Sequence, residues 1–379
     1  MNPKIEKSVN LKPLPFVDSK NTLGFGQYFS DHWFCTEMKS TKDPGSQVQQ
    51  VGEWSAGKIM PYGTLALDPA ASVFHYGQAL FEGMKAFRRK DGSIWLFRPD
   101  YNWERMSKGA ERLCMRAPPR SVFMNGLRHL LQVDERWVPP HPGQALYIRP
   151  TLIGSEGFLG VRPSQEMIFF IILSPVGSYY GEMGPGVKIW VEDQALRAAP
   201  GGLGATKAGA NYAASLQAAH KAKEKGYSQV LWLDVHHESV EEVGTMNVFF
   251  VFKNEIVTPP LSDSILAGGV RDSVLHLLRS WKLPVKERRL TMKEIQERMQ
   301  VGELLEAFGA GTAAVISPIS EFHYKGQDLK LPQPANQPRQ ESSSELWGLS
   351  KQLLKHLQEL QHGEVPDQFG WMKSLAELE

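Results

Sequence analysis

Apolar residues recur along the chain at two spacings, and the switches between them mark its elements. Alternation over 93–97 predicts a strand. Trp103, Met106, Ala110 and Leu113 then fall at helical spacing, as do Phe123, Leu127, Leu130 and Leu131, with Ser121 placed to cap the second helix. Strands are expected at 145–153 and 166–176. The second contains MIFFIILSPV, a continuous apolar run of the kind buried on both faces of a sheet. Beyond it, 177–186 is rich in Gly and Tyr and reads as a connection between domains.

A strand, VKIWVED, follows this connection, and a helix over 212–225 has Asn211 as its cap and Gly226 as its stop. Next come a strand over 229–235 and a hairpin with arms 248–252 and 256–258 around Asn254. A helix over 272–281 follows Gly268-Gly269, and Thr291-Met-Lys-Glu294 has the form of a capping box. A strand over 313–319 is preceded by Gly309-Ala-Gly311-Thr312. The stretch 326–344 is rich in Pro, Gln and Ser, and a last helix carries Leu346, Leu349, Leu353, Leu357 and Leu360. The alternation of strands and helices predicts a two-domain α/β protein: a small α/β domain over 1–176, a connection over 177–187, and a larger α+β domain over 188–379.

Composition fits this picture. The 379 residues are 42% hydrophobic and 22% charged, as in folded globular domains, and no apolar stretch is of membrane-spanning length. Lys and Arg (42) nearly cancel Asp and Glu (41), with no basic block, so a nucleic-acid partner is not expected. Cys35 and Cys114 lie in no redox or metal spacing, and the first residues carry no leader pattern. We therefore expect a cytoplasmic protein without a structural metal.

One lysine stands out. Lys207 lies in Ala199-Pro-Gly-Gly-Leu-Gly-Ala-Thr-Lys207-Ala-Gly-Ala-Asn211-Tyr212, amongst small residues that leave room for a planar ligand. A desolvated lysine can form an imine, because the neutral amine attacks carbonyls. A solvated lysine in a flexible loop has the same local pattern. Glu242, just ahead of an apolar hairpin arm, can face a pyridine nitrogen or be a surface acid beside Glu241. Gly269 and Val270 at a helix start, and the small residues ending in Thr312, can bind a phosphate. Arg105 can join them or pair with Glu104 or Glu111. Tyr76, Phe81, Tyr147 and Tyr179 suit either an apolar pocket or the core.

In order, several stretches resemble the branched-chain aminotransferases of fold type IV, in the longer form of that family. They are His75-Tyr-Gly-Gln-Ala-Leu-Phe-Glu-Gly-Met-Lys-Ala-Phe87, Leu146-Tyr-Ile-Arg-Pro150, Leu173-Ser-Pro-Val-Gly177, Lys207 to Tyr212, Gln229-Val-Leu-Trp-Leu233, Glu242-Val-Gly-Thr-Met-Asn247 and Thr258-Pro-Pro-Leu261. The likeness runs from about Phe25 to the region of Trp371.

The resemblance implies a pyridoxal 5'-phosphate enzyme that moves amino groups between leucine, isoleucine or valine and 2-oxoglutarate by a ping-pong route. Lys207 would carry the cofactor as a Schiff base and act as the base. Tyr212 would meet its phenolic oxygen, Glu242 its ring nitrogen, and Arg105, Gly269, Val270 and Thr312 its phosphate, with Thr245 near the ring. Phe25, Tyr76, Phe81, Tyr147, Tyr179, Thr312 and Ala313 would line the substrate pocket, where Arg149 accepts the side-chain carboxylate of glutamate. The family also implies a homodimer whose neighbouring chain lines the pocket. Related readings are a D-amino-acid aminotransferase, an aminodeoxychorismate lyase and a cofactor-binding scaffold without turnover. Two stretches depart from the family pattern: Ala314-Val-Ile-Ser317 stands where long-form animal relatives have a Cys-x-x-Cys pair, and Ala267-Gly-Gly-Val-Arg271 stands where the family commonly has Pro-Gly-Val-Thr-Arg. The first removes thiol-based regulation at that place, and the second removes a threonine hydroxyl while leaving backbone donors.

Overall fold

A computed structural model describes residues 2–16, 23–42, 49–50, 52–177, 186–332 and 348–378. Tyr179, most of the connection expected over 177–187, residues 333–344 and Leu346 lie outside the described residues. Contacts divide the chain into two units. The first comprises Met1–Tyr179, Thr206–Ala210 and Glu359–Glu379, and the second Tyr180–Ala205 and Asn211–Gln358. Both units combine helices with a nine-stranded sheet, so the expected two-domain mixed architecture is present. No described helix is long and apolar enough to cross a membrane.

In the first unit the main elements are β1 (His32–Met38), β2 (Ala79–Phe81), β3 (Met84–Arg88), β4 (Ile94–Phe97), α1 (Pro99–Arg112), α2 (Arg120–Val133), β5 (Ala145–Gly154) and β6 (Met167–Val176). The sheet runs Lys4–Ile5, Lys58–Pro61, β1, β6, β5, β3, β4, Met372–Ser374, with β2 also on β5. Only the Lys4–Ile5 edge pairs in parallel. The strand Met372–Ser374 pairs antiparallel with β4, which brings the end of the chain into this unit. Along β6, Met167, Phe169, Ile171 and Leu173 are buried while Ile168, Phe170 and Ile172 are half-buried, so one face is covered fully and the other in part. Helix α2 starts after Pro119, whose extended backbone serves as the cap; Ser121 lies inside the helix and does not cap it.

In the second unit we number β7 (Val187–Glu192), α3 (Gly209–Glu224), β8 (Gln229–Leu233), β9 (Val240–Val243), β10 (Met246–Phe252), α4 (Gly269–Ser280), β11 (Leu304–Gly311) and β12 (Val315–Tyr324). Pairing runs β9–β8–β7–β12–β11–β10 and returns to β9, a closed barrel of six strands. Closure leaves those strands no open edge. Its filling includes Leu231, Leu233, Phe250, Phe252 and Phe322, all without exposure. β7 pairs in parallel with β8 and β12, and Ala218 and Ala222 of α3 pack with Val230 and Trp232.

Three local expectations are corrected here. Helix α3 begins at Gly209, so Asn211 is not its cap; the Asn211 amide donates to the Leu203 carbonyl at 2.7 Å. Helix α4 begins at Gly269, because Gly268 takes the extended cap conformation ahead of it. Gly309 and Gly311 belong to β11, where a Cβ on either would meet the Met246 side chain, at 2.7 and 2.9 Å. The anion nest expected over 309–312 thus reduces to the turn between β11 and β12 that carries Thr312 and Ala313. Thr291 does cap its helix, accepting from the Glu294 N–H at 3.1 Å.

The core of the first unit is tight where α2 crosses the sheet. A Cβ on Gly126 would come within 2.5 Å of the Phe34 ring, and one on Gly57 also within 2.5 Å, so the ring is gripped and cannot retreat. Helix propensity favours alanine over glycine by about 1 kcal/mol, whereas overpacking a tight core costs about 1–3 kcal/mol. Gly126→Ala is therefore expected to destabilise the protein by about 1 kcal/mol or more, measured by chemical denaturation. A stabilised variant would mean that the ring has room to move.

Candidate active site

Lys207 is not part of a free loop. The Phe81 N–H donates to the Lys207 carbonyl at 3.2 Å, and Leu80 and Ala208 form an antiparallel bridge, so the lysine segment lies along β2. Lys207 itself is partly buried. Its Nζ stands 4.8 Å from the centre of the Phe81 ring, and the Arg149 guanidinium stands 4.6 Å from the same ring. One aromatic ring thus meets two cations.

Arg149 comes from β5, two residues after Tyr147, which puts both on one face of the sheet. Its Nη2 donates to the Tyr147 hydroxyl at 3.0 Å, while its Nε is buried without a hydrogen-bond partner. Phe25 packs edge-on against Tyr147 at 4.8 Å. Gly83 is needed at this point, since a Cβ there would lie 2.1 Å from the Tyr147 hydroxyl. Lys85, directly across from Tyr147, is a second buried lysine, and burial pushes its pKa down to about 8.

Arg105, on α1, does not pair with Glu104 or Glu111 as one reading allowed. Its Nε and Nη2 both reach the carboxylate of Glu82 at 2.7 Å. The pKa of Lys207 is pushed down to about 8, first by loss of hydration and then by Arg105; Glu82 and Tyr147 raise it, and Arg149 lowers it again. A lysine with that pKa presents roughly a tenth of its amine uncharged at pH 7. It can attack a carbonyl without a separate base.

The second unit holds the acid. Glu242, in β9, is buried, and its Oε1 accepts from Asn247 Nδ2 at 3.1 Å and from the Leu266 N–H at 3.0 Å. Its Oε2 lies 2.7 Å from Arg197 Nε. Arg197 is buried and spends Nη1 on the Ser264 carbonyl at 2.7 Å. Glu242 is therefore no surface acid, although its neighbour Glu241 is buried as well and burial raises the pKa of that carboxyl. Gly268 allows Asn247 its place, because a Cβ there would fall 2.1 Å from the Asn247 Oδ1.

The other expected residues of this unit stand at element ends. Tyr212 is in the first turn of α3, and Thr245 is exposed in the turn from β9 to β10. Gly269 and Val270 open α4, whose start has no side-chain cap. Such a start carries a positive dipole end. Thr312 and Ala313 occupy the turn after β11, where Val315 has a positive φ of 63°, rare for a β-branched residue.

The structure thus assembles Phe25, Phe81, Arg105, Tyr147, Arg149 and Lys207 within the first unit. Tyr76 lies apart on the short helix Ser72–Tyr76, its hydroxyl donating to the Leu159 carbonyl. Sequence reasoning missed Glu82, Gly83, Asn102, Arg197 and Asn247. Glu82 and Gly83 are visible in the run ending at Phe87, but only burial distinguishes them from their neighbours. No local pattern marks Arg197.

Comparison with known proteins bears on this arrangement. A family model, Amino-transferase class IV, matches residues 79–322. The chain is 44% identical to branched-chain-amino-acid transaminase 1 of Bacillus subtilis (strain 168), over 97% of both proteins. It is 42% identical to branched-chain-amino-acid aminotransferase 2 of the same organism, over 99% of this chain and 97% of that one. Among solved structures, the branched-chain amino acid aminotransferase of Escherichia coli superposes with a TM-score of 0.70 at 23% identity, covering 84% of this chain and 97% of that one. The branched-chain amino acid aminotransferase of Thermobaculum terrenum in its PLP-form gives a TM-score of 0.68 at 22% identity, covering 84% of this chain and 96% of that one.

Placing Lys207 beside two arginines costs stability, and the sign of that cost is testable. Its folded pKa lies below the unfolded value of 10.5, so from about pH 8 to 10.5 the unfolded chain binds more protons and stability rises with pH. The full penalty applies below pH 8. Lys207→Met is expected to stabilise the ligand-free protein at pH 7 by on the order of 1–3 kcal/mol, with the advantage shrinking as pH rises towards 10.5. Denaturation at pH 7 and pH 10 measures it, and an equal difference at both would contradict it.

Proposed function

Because the chain belongs to the amino-transferase class IV family, we propose that it is a branched-chain-amino-acid transaminase, exchanging amino groups between leucine, isoleucine or valine and 2-oxoglutarate with pyridoxal 5'-phosphate as cofactor. The observation that carries this reading is the desolvated amine of Lys207, its pKa pushed down to about 8 with Arg105 and Arg149 both acting on it and with Arg149 on the same Phe81 ring. The residues fit the cofactor. A lysine with an uncharged fraction near neutral pH suits its aldehyde, and Arg105, fixed by Glu82, suits its phosphate. When bound, the cofactor withdraws electrons from the bonds at the substrate Cα.

Each side chain then has a task. Lys207 would hold the cofactor through its amine and would serve as the base that takes the proton from the substrate Cα. Glu242, fixed by Arg197, Asn247 and the Leu266 N–H, would pair with the ring nitrogen and favour its protonated form; Tyr212 would donate to the phenolic oxygen, and Thr245 would contribute beside the ring. For the phosphate, Arg105 would supply a charged donor, and Gly269, Val270 and Thr312 would supply donors at the start of α4 and in the turn after β11. Phe25, Phe81 and Tyr147 would line the substrate pocket, to which the family resemblance also assigns Tyr179 and the Thr312-Ala313 turn.

The pocket must accept an aliphatic side chain in one half-reaction and a carboxylate in the other. Phe25 and Phe81 provide apolar wall for the first. Arg149 serves the second, with its buried Nε in want of an acceptor. When leucine is bound instead, the Tyr147 hydroxyl and the Phe81 ring still attend the guanidinium, which limits the cost of leaving it unpaired.

We further propose a cytoplasmic homodimer. Free thiols at Cys35 and Cys114 support the compartment. The dimer is supported by exposed apolar side chains at Phe74, Tyr76, Phe158, Leu159 and Val161, reaching 87% exposure at Val161. Hydrogen bonds from the Phe158 N–H to the Ala70 carbonyl and from Tyr76 to Leu159 gather them into one patch. A second copy of the chain would cover it, and Tyr76 would then serve the neighbour's pocket.

Assay of the purified protein with L-leucine and 2-oxoglutarate tests the function directly; turnover of D-alanine or aminodeoxychorismate in its place would overturn it. Arg149→Ala is expected to weaken kcat/KM for glutamate by about tenfold to a hundredfold and for leucine much less. Equal losses for both would remove Arg149 from its role. Val161→Glu is expected to shift the protein towards monomer in sedimentation, and an unchanged dimer would place the interface elsewhere.

A further inference from the structure

Glu82 has no exposed surface, yet it carries a carboxylate. Burying such a group is costly unless donors surround it, and four do. Arg105 Nε and Nη2 reach it at 2.7 Å each, Asn102 Nδ2 at 2.7 Å, and the Gly83 N–H at 3.2 Å. Asn102 and Arg105 lie three residues apart on α1 and so share one helix face. The carboxylate, which leaves the sheet between β2 and β3, therefore grips the helix at two points.

The geometry of the grip restricts Arg105. A guanidinium has five N–H groups in one plane. Two parallel bonds to one carboxylate consume the Nε edge and fix that plane, so the directions of the three N–H groups not engaged by Glu82 are fixed as well, all turned away from it. Both side chains are shielded, with 12% of the Arg105 side chain exposed, so the pair is not loosened by solvent.

We propose that Glu82 is the positioning residue for the phosphate of the cofactor: its carboxylate sets the direction of the Arg105 donors and offsets the Arg105 charge where Lys207 stands. This rests on the reading of Arg105 as a phosphate ligand. Lys207 registers both halves of the pair, since Arg105 pushes its pKa down and Glu82 raises it. A lone arginine in that place would hold phosphate but would suppress the protonated lysine further. The ion pair keeps the directional donors and removes most of the repulsion.

The test compares the wild-type holoenzyme with Glu82→Gln and Glu82→Asp, using pyridoxal 5'-phosphate and its phosphate-free analogue pyridoxal as probes. Affinities are read by equilibrium titration, and the pH midpoint of the bound cofactor's visible absorbance is followed separately. Glu82→Gln is expected to weaken pyridoxal 5'-phosphate by about tenfold or more and pyridoxal by less than twofold, and to lower the pH midpoint. Equal weakening of both probes would show a brace between α1 and the sheet and overturn the proposal, as would unchanged affinity for pyridoxal 5'-phosphate. Should Glu82→Gln not fold, the ratio of the two probes on Glu82→Asp decides in the same way. A wild-type protein that binds neither probe would instead refute the functional reading, a result distinct from both.

Discussion

The first unit depends on holding three partly buried cations within reach of one another's charge. Lys207, Arg105 and Arg149 would repel one another strongly in a dry site, and each has a different compensation. Arg105 faces a buried carboxylate, Arg149 a tyrosine hydroxyl and an aromatic ring, and Lys207 holds its proton less tightly, with its pKa pushed down to about 8. The sheet makes this possible. Tyr147 and Arg149 project from one strand, Glu82 and Gly83 from the link between two others, and the lysine segment is bonded along β2.

The second unit meets the converse problem with an anion. Glu242 sits in the wall of a closed barrel, where its donors come from the neighbouring strand, from the stretch ahead of α4 and from Arg197. Closure fixes the register of β9 against both β8 and β10, so the carboxylate cannot shift by one residue without turning its face. The glycines at 268, 309 and 311 are part of that fit, each giving way to a side chain from β10.

Much of this was legible from the chain alone, in proportion to how local its cause is. The helices α1 and α2 and the strands β5, β6 and β8 follow from spacing, and the Thr291 cap from its own hydroxyl. Where glycines suggested loops, at 309–311, close packing against Met246 had called for them inside a strand. The cap expected at Ser121 failed because Pro119 fixes the helix start two residues earlier. For the site, Lys207 and Glu242 could be singled out but not decided from local pattern, since each has a solvated counterpart with the same neighbours. The partners that decide them, Glu82 for Arg105 and Arg197 for Glu242, are 23 and 45 residues away in sequence, beyond any periodic signal.

The membership of Thr206–Ala210 in the first unit has a further meaning for how such a protein can be divided. The five residues around the lysine are covalently carried by the chain of the second unit, while the strand Met372–Ser374 returns to the first from beyond it. Neither unit is a continuous stretch of the gene. A fragment ending near residue 179 would lack both the reactive amine and an edge strand of its own sheet, so no single cut in the chain separates one unit whole from the other.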